Sequence, residues 1–319
     1  MRIYFTIVGL GVLHCVSALN LAAEKVEPPE HSVVPQSYTS DFRDQLREPL
    51  ARSGEHVKAL LKVADKLKHS ANGQQAYTFL VANMPDKDLK EIPAELVIEN
   101  VKYGLKARER APWSGNIPEE IFLNDVLPYA SLDEVRENWR KDFYERFSKR
   151  AWECNTPGEA ARWLNKTIYK ELNVRYDQKR SVVNASPSQS IKEGMATCTG
   201  LSILLINACR ACGIPARMAG IPAWKTPNTD AAGNHGGNHN WVEVWDAGGW
   251  HCLGASEDSE LDKTWFLAKA KDAVDGSQWQ HAVYASSWKK TSIHFPLVWN
   301  IEDQSISAVN VSERYVPKK

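Results

Sequence analysis

One segment, EGMATCTGLSILLINACRACGIPAR, constrains this chain most, because it sets a cysteine where a glycine-flanked loop turns into an apolar helix. Leu201, Leu204, Leu205 and Ala208 recur at i, i+3, i+4 and i+7, the spacing of a buried helix face. Gly213 caps that helix, and Ile214-Pro215 cannot easily continue it. Cys198, between Gly194 and Gly200, therefore lies at a helix N-terminus. Free backbone N–H groups and the helix dipole favour a thiolate there. The competing reading is a small buried hydrophobe, the usual fate of a cysteine. A second pair, Cys209 and Cys212, forms a C-x-x-C pattern at the far end of the same helix, where the dipole disfavours a thiolate. That pair reads as two core residues.

With 319 residues, the chain has room for one large domain or two ordinary ones. Its 39 basic and 39 acidic residues balance, and no long basic run occurs, which argues against nucleic acid as the main partner. Residues 1–18 read as a secretory signal: Arg2, an apolar run from Ile3 to about Val16, then small residues at Val16-Ser17-Ala18 for cleavage. The run is short for a membrane anchor, and His14 is too large for a lipoprotein box before Cys15. The expectation is a secreted or periplasmic protein with no membrane association after cleavage. Cys154, Cys198, Cys209, Cys212 and Cys252 then remain, an odd number that leaves at least one unpaired within the chain.

Residues 19–39 are polar and proline-containing and read as a linker. Residues 40–150 carry apolar residues at helical spacing among many charges, so a helical region is expected. Within it, SLDEVRENWRKDFYERF opens on Ser131 with Glu134 three residues on, a capping-box pattern that predicts a helix start. Residues 151–270 mix elements. A helix opens at Thr156-Pro157, a short strand at NVRYD follows, then the Cys198 helix, a strand at ARMAGIPAW, and two β-rich runs in WVEVWDAGGWHCLGA. Residues 271–319 add further β-type runs. The class is α+β, a cysteine-bearing helix packed on an antiparallel sheet that bears a histidine.

A thiolate nucleophile needs a base, and the base needs a group to orient it. His239 opens the strand HNWVEVW, whose alternation puts Trp241 and Glu243 on one face and Val242 and Val244 on the other. A histidine at a strand mouth after a glycine-rich loop can reach the Cys198 helix. The glycine–x–x–x–cysteine entry, the GIPAR-type helix exit, and NHNWVEVW about forty residues after the cysteine together resemble the transglutaminase-like superfamily, with its papain-like cysteine-hydrolase core. The resemblance covers roughly residues 151–270. It implies that Cys198 is the nucleophile and His239 the base.

The third group departs from the family. There an aspartate usually stands four residues after the tryptophan of the second hairpin strand, and here that position is Gly254. If Trp245 pairs with Trp250, a carboxylate at 254 would lie diagonal to His239 on one face. Glu257 is the nearest carboxylate and is expected to accept a hydrogen bond from His239, through a bulge at Gly254 to Ser256 that corrects its parity. Ser256 and Asp258 are the alternatives. A zinc site from His235, His239, His251, Cys198 and Cys252 fits no familiar module, since His251 and Cys252 point to opposite strand faces, so no metal and no cofactor are expected. The expected activity is thiol-dependent acyl transfer on an amide, with a peptide, protein or other amide as substrate and hydrolysis as the outcome. A cross-linking transglutaminase and an exported binding module that has lost turnover are the alternatives.

Overall fold

The computed structural model describes residues 34–225, 237–274 and 278–317. The signal-like segment, most of the linker and His235 lie outside the described residues. Helices dominate the first half: α1 (Ser40–Arg52), α2 (Val57–Leu67), α3 (Ala71–Asn83), α4 (Asp86–Glu91), α5 (Ala94–Arg110), α6 (Glu119–Ile121) running into a π-helical turn over Phe122–Val126, and α7 (Arg140–Ala151). Thr39 and Ser70 cap α1 and α3 through their hydroxyls. Their apolar faces meet in one cluster that includes Leu46, Leu60, Tyr77, Leu80 and Val97.

The second half holds α8 (Pro157–Glu171), β1 (Arg175–Tyr176), α9 (Pro187–Glu193), β2 (Met195–Ala196), α10 (Cys198–Ala211), β3 (Ala216–Ile221), β4 (His239–Asp246), β5 (Gly249–Leu253), α11 (Leu267–Ala270), β6 (Tyr284–Ser286), β7 (Ile293–His294) and β8 (Ser307–Asn310). Six strands form one antiparallel sheet in the order β5-β4-β3-β6-β8-β7. The tail strands β6, β8 and β7 thus extend the sheet that carries His239. A two-residue turn at Ala247-Gly248, both with positive φ, closes the β4–β5 hairpin and sets Trp245 opposite Trp250, the expected register.

The spacing in α10 predicts one buried face, yet every residue from Thr199 to Ala211 is buried. The helix lies between α7 and α8 on one side and β3 and β4 on the other, so it has no solvent face. Gly213, at φ +76°, ends it, with the Ile214 N–H donating to the Cys209 carbonyl at 2.9 Å. Two indoles cover this helix exit: Trp152 Nε1 donates to the Cys212 carbonyl and Trp113 Nε1 to the Gly213 carbonyl, both at 2.9 Å.

The helix expected after Ser131 begins instead at Arg140. Half of the capping pattern forms, as Glu134 accepts from the Ser131 and Leu132 N–H groups at 2.7 Å. A helix from Ser131 would need the Leu132 and Glu134 carbonyls, and Arg136 takes both, while other arginines hold the carbonyls just before Ser131. Arg136 donates to the carbonyls of Leu132 and Glu134, Arg140 to those of Val126, Leu127 and Pro128, and Arg210 to those of Asp125 and Ala130. Arg140 also reaches the Arg210 carbonyl on α10 at 3.0 Å, so the helical half is bonded directly to the Cys198 helix.

Candidate active site

Cys198 is the first residue of α10, after Thr197 in extended conformation and the short strand β2. Gly194, at φ +68°, turns the chain from α9 into β2. Gly200 lets β2 lie against the helix, since a Cβ there would stand 2.8 Å from the Ala196 Cβ. His239 opens β4, opposite Ile221. The neighbours of both residues are bonded: Asn240 Nδ2 donates to Thr199 Oγ1 at 2.9 Å. Gly220, opposite Asn240, makes room for that amide, because a Cβ would fall 2.0 Å from Asn240 Oδ1. One tie between a helix start and a strand start brings Cys198 and His239 to a common cleft of about 660 Å³, lined also by Thr197, Ser256, Glu257 and Trp265. No hydrogen bond joins the thiol to the ring, and looser pairing is usual before substrate binds.

Aromatic rings surround His239: Trp265 at 4.9 Å between centroids, Phe266 at 5.1 Å, Trp241 stacked at 5.8 Å and Trp224 at 6.3 Å. Burial among them, with the Lys269 ammonium adding repulsion, pushes the imidazole pKa down to about 4. The ring is therefore neutral at neutral pH. Its Nε2 is buried and has no hydrogen-bond partner.

The expected Glu257–His239 hydrogen bond is not formed. Glu257 Oε1 instead accepts from Trp265 Nε1 at 2.7 Å. The expected bulge is absent too. Strand β5 stops at Leu253, opposite Val242, and a tight turn follows, with the Glu257 N–H on the Gly254 carbonyl and Ser256 at φ +64°. Asn165 of α8 holds this turn with three bonds: Nδ2 to the carbonyls of Gly254 and Glu257 at 2.9 and 2.7 Å, and Oδ1 from the Ser256 N–H at 2.8 Å. The turn folds Glu257 back over Gly254. A Cβ at 254 would lie 2.2 Å from Glu257 Cδ and 2.2 and 2.6 Å from its carboxylate oxygens. The Glu257 carboxylate thus fills the space of a side chain at 254. Burial pushes its pKa up, and the Trp265 N–H partly offsets this. Asp258 is turned to solvent and pairs with Lys166 at 2.6 Å.

Cys209 and Cys212 are buried, and burial pushes both thiols up. His251 pairs with Asp262 at 2.6 Å on the exposed side of β5, while Cys252 faces a second apolar cluster. Among the described residues no three or more of His, Cys, Asp and Glu are brought together as metal ligands. Sequence reasoning missed Asn165, Asn240, Trp265 and Phe266. Asn240 stands beside His239 in the sequence. The others come from distant elements and carry no local signal.

A profile of the transglutaminase-like superfamily matches residues 146–255, which contain Cys198, His239 and Gly254. No curated protein is significantly similar to the chain. A solved structure of a candidate cysteine protease from Cytophaga hutchinsonii is 23% identical over 37% of this chain and 36% of its own, about a third of its length, with a TM-score of 0.27. The superfamily is one of cysteine-based hydrolases and acyltransferases that also has catalytically inactive members. The Cys198 helix start, the GIPAR exit, the antiparallel sheet led by His239 and the profile match agree: residues 146–255 of this chain are similar to the transglutaminase-like superfamily core.

Proposed function

We propose that the chain hydrolyses amide bonds by thiol catalysis, with Cys198 as nucleophile, His239 as base and Glu257 as the carboxylate that orients the histidine once it is released from its bond to Trp265. One observation carries this reading: a helix-start cysteine and a neutral histidine share a cleft in which a carboxylate fills the side-chain space of Gly254. His239 takes the thiol proton as Cys198 Sγ attacks the carbonyl carbon. The Cys198 backbone N–H, unpaired at the helix start, faces the developing oxyanion. Collapse expels the amine, which receives the proton from His239 and leaves a thioester. Water, deprotonated by His239, then releases the acid and restores the thiol. Hydrolysis is preferred to transamidation because water requires no second binding site.

A binding domain without turnover is the second reading, favoured by the bond that holds Glu257 on Trp265. Incubation with a mixture of peptides and simple amides, with new amines counted and a fluorescent primary amine present as competing acceptor, separates the readings. Release of amines that Cys198→Ala abolishes supports hydrolysis. Incorporation of the fluorescent amine indicates transamidation. Absence of both, with iodoacetamide labelling Cys209 or Cys212 ahead of Cys198, would overturn the thiol mechanism.

A further inference from the structure

The cleft at Cys198 holds a cation that the proposed chemistry leaves unused. Strand β1 pairs with β2 immediately before Cys198, Tyr176 lying opposite Ala196, and this ladder leads the chain after β1 along the cleft. Two carboxylates pin that loop. Asp177 accepts from the Lys179 N–H at 2.9 Å, and Glu193 of α9 accepts from the Ser181 N–H at 2.7 Å and its hydroxyl at 3.1 Å. Arg180 sits between the pinned points and lines the cleft. Its Nη1 donates to the Gln178 carbonyl at 3.0 Å, and its Nε is buried without a partner. The nearby acids are committed to backbone N–H groups rather than to the guanidinium. Among the described residues that line the cleft, Arg180 is the sole cation and Glu257 the sole anion, and Glu257 is engaged by Trp265.

Two large rings share that cleft with Arg180. Tyr176 and Trp299 line the same cleft and are 53% and 39% exposed, unusual for side chains of that size. Neither is loose: Gln178 Nε2 donates to the Tyr176 hydroxyl at 3.2 Å, and Trp299 Nε1 to Asn184 Oδ1 at 3.2 Å. Held aromatic faces in one cleft with a guanidinium that has no acid partner form a surface for a ring or apolar group joined to a planar anion.

We propose that the Cys198 cleft takes an amide substrate bearing a carboxylate, which Arg180 binds, with an aromatic or apolar group of that substrate against Tyr176 and Trp299. The inference rests on Cys198 as the reactive thiol but concerns recognition. Two sources supply such a carboxylate, a peptide C-terminus or an acidic side chain.

The test uses the full chain and two independent readouts. The first compares alkylation of Cys198 by anionic iodoacetate and neutral iodoacetamide; in both, sulfur displaces iodide at carbon. Relative to glutathione, the iodoacetate-to-iodoacetamide rate ratio should be raised roughly tenfold, as a charge-assisted contact allows. Arg180→Gln should return the ratio to that of glutathione, and Arg180→Lys should keep part of it. The second titrates tryptophan fluorescence with N-benzoylglycine and with N-benzoylglycinamide. The carboxylate should bind roughly 10- to 100-fold tighter, and high salt should erase the difference. Tighter binding of N-benzoylglycine than of the α-amide of N-benzoylglutamate assigns the site to a chain terminus, and the reverse order to an acidic side chain. Equal rate ratios in the wild type and Arg180→Gln, or equal binding of acid and amide, overturn the proposal. An inert Cys198 overturns the thiol mechanism alone, because the titration still decides the carboxylate site.

Discussion

At the residue scale, Glu257 and Gly254 act as one unit. The Cβ of an aspartate at 254 would fall on the Glu257 carboxylate, so the two side chains cannot coexist without movement. Gly254→Asp alone should lower turnover and stability through that clash, whereas Gly254→Asp with Glu257→Ala should restore turnover toward the wild type. Glu257→Gln alone should cost roughly 100-fold in kcat, since loss of an orienting carboxylate removes both tautomer control and charge stabilisation. Steady-state kinetics on any amide found to turn over checks all three, and a silent Glu257→Gln would remove Glu257 from the site. His239 supports a second expectation. Its folded pKa, about 4, lies below its ordinary value of 6.5. The unfolded chain therefore takes up a proton first as pH falls. Stability present above pH 6.5 is lost as pH drops from 6.5 toward 4, by on the order of 3 kcal/mol. Urea unfolding at pH 7 and pH 4.5 should reveal this loss, and His239→Phe should reduce it. An unchanged pH dependence in His239→Phe would assign the loss to other groups.

Elements meet at this site through two glycines and two asparagines. Gly200 and Gly220 permit close approach, while Asn240 and Asn165 bond across the gaps that result. Gly220→Ala should push the Asn240 amide off Thr199 and cost about 1–3 kcal/mol, as overpacking of a filled core does. Turnover should fall further than lost stability explains, because Asn240 adjoins His239. Chemical denaturation and kcat measured on the folded fraction separate the two effects. A folded Gly220→Ala protein with full turnover would show that the Asn240–Thr199 tie does not set the site.

At the scale of the whole molecule, buried arginines bind the helical half to the sheet half. Arg140 is 2% exposed and gives its guanidinium to Asn100, to three carbonyls of residues 126–128 and to Arg210 on α10. Arg210, also 2% exposed, joins the carbonyls of Asp125 and Ala130 to that of Ala216 at the start of β3. Removing either leaves several buried carbonyls without donors, at roughly 1–3 kcal/mol each. Arg210→Met should therefore destabilise both halves together. Far-ultraviolet dichroism and tryptophan fluorescence should report a single coincident urea transition, displaced to lower urea. Two separate transitions in the wild type would mean that the arginines do not couple the halves.

Local chemistry is what this sequence settles by itself. The helix that starts at Cys198 and ends at Gly213, the capped helix at Thr156-Pro157 and the Trp245–Trp250 hairpin register each arise from residues within a few positions of one another, through capping, parity and turn preference. Tertiary packing decided what depends on distant partners. The capping pattern at Ser131 starts no helix there because Arg136, held by the distant Asp88, donates to the Leu132 and Glu134 carbonyls. Glu257 followed neither parity nor bulge because Asn165, 92 residues earlier, imposes a turn, and Trp265 takes the carboxylate. The depressed pKa of His239 arises from rings and an ammonium that no spacing in the sequence brings near it. Capping and turn energies are short-ranged along the chain, whereas burial and hydrogen-bond competition act through space, so they are set only once the fold has chosen the neighbours.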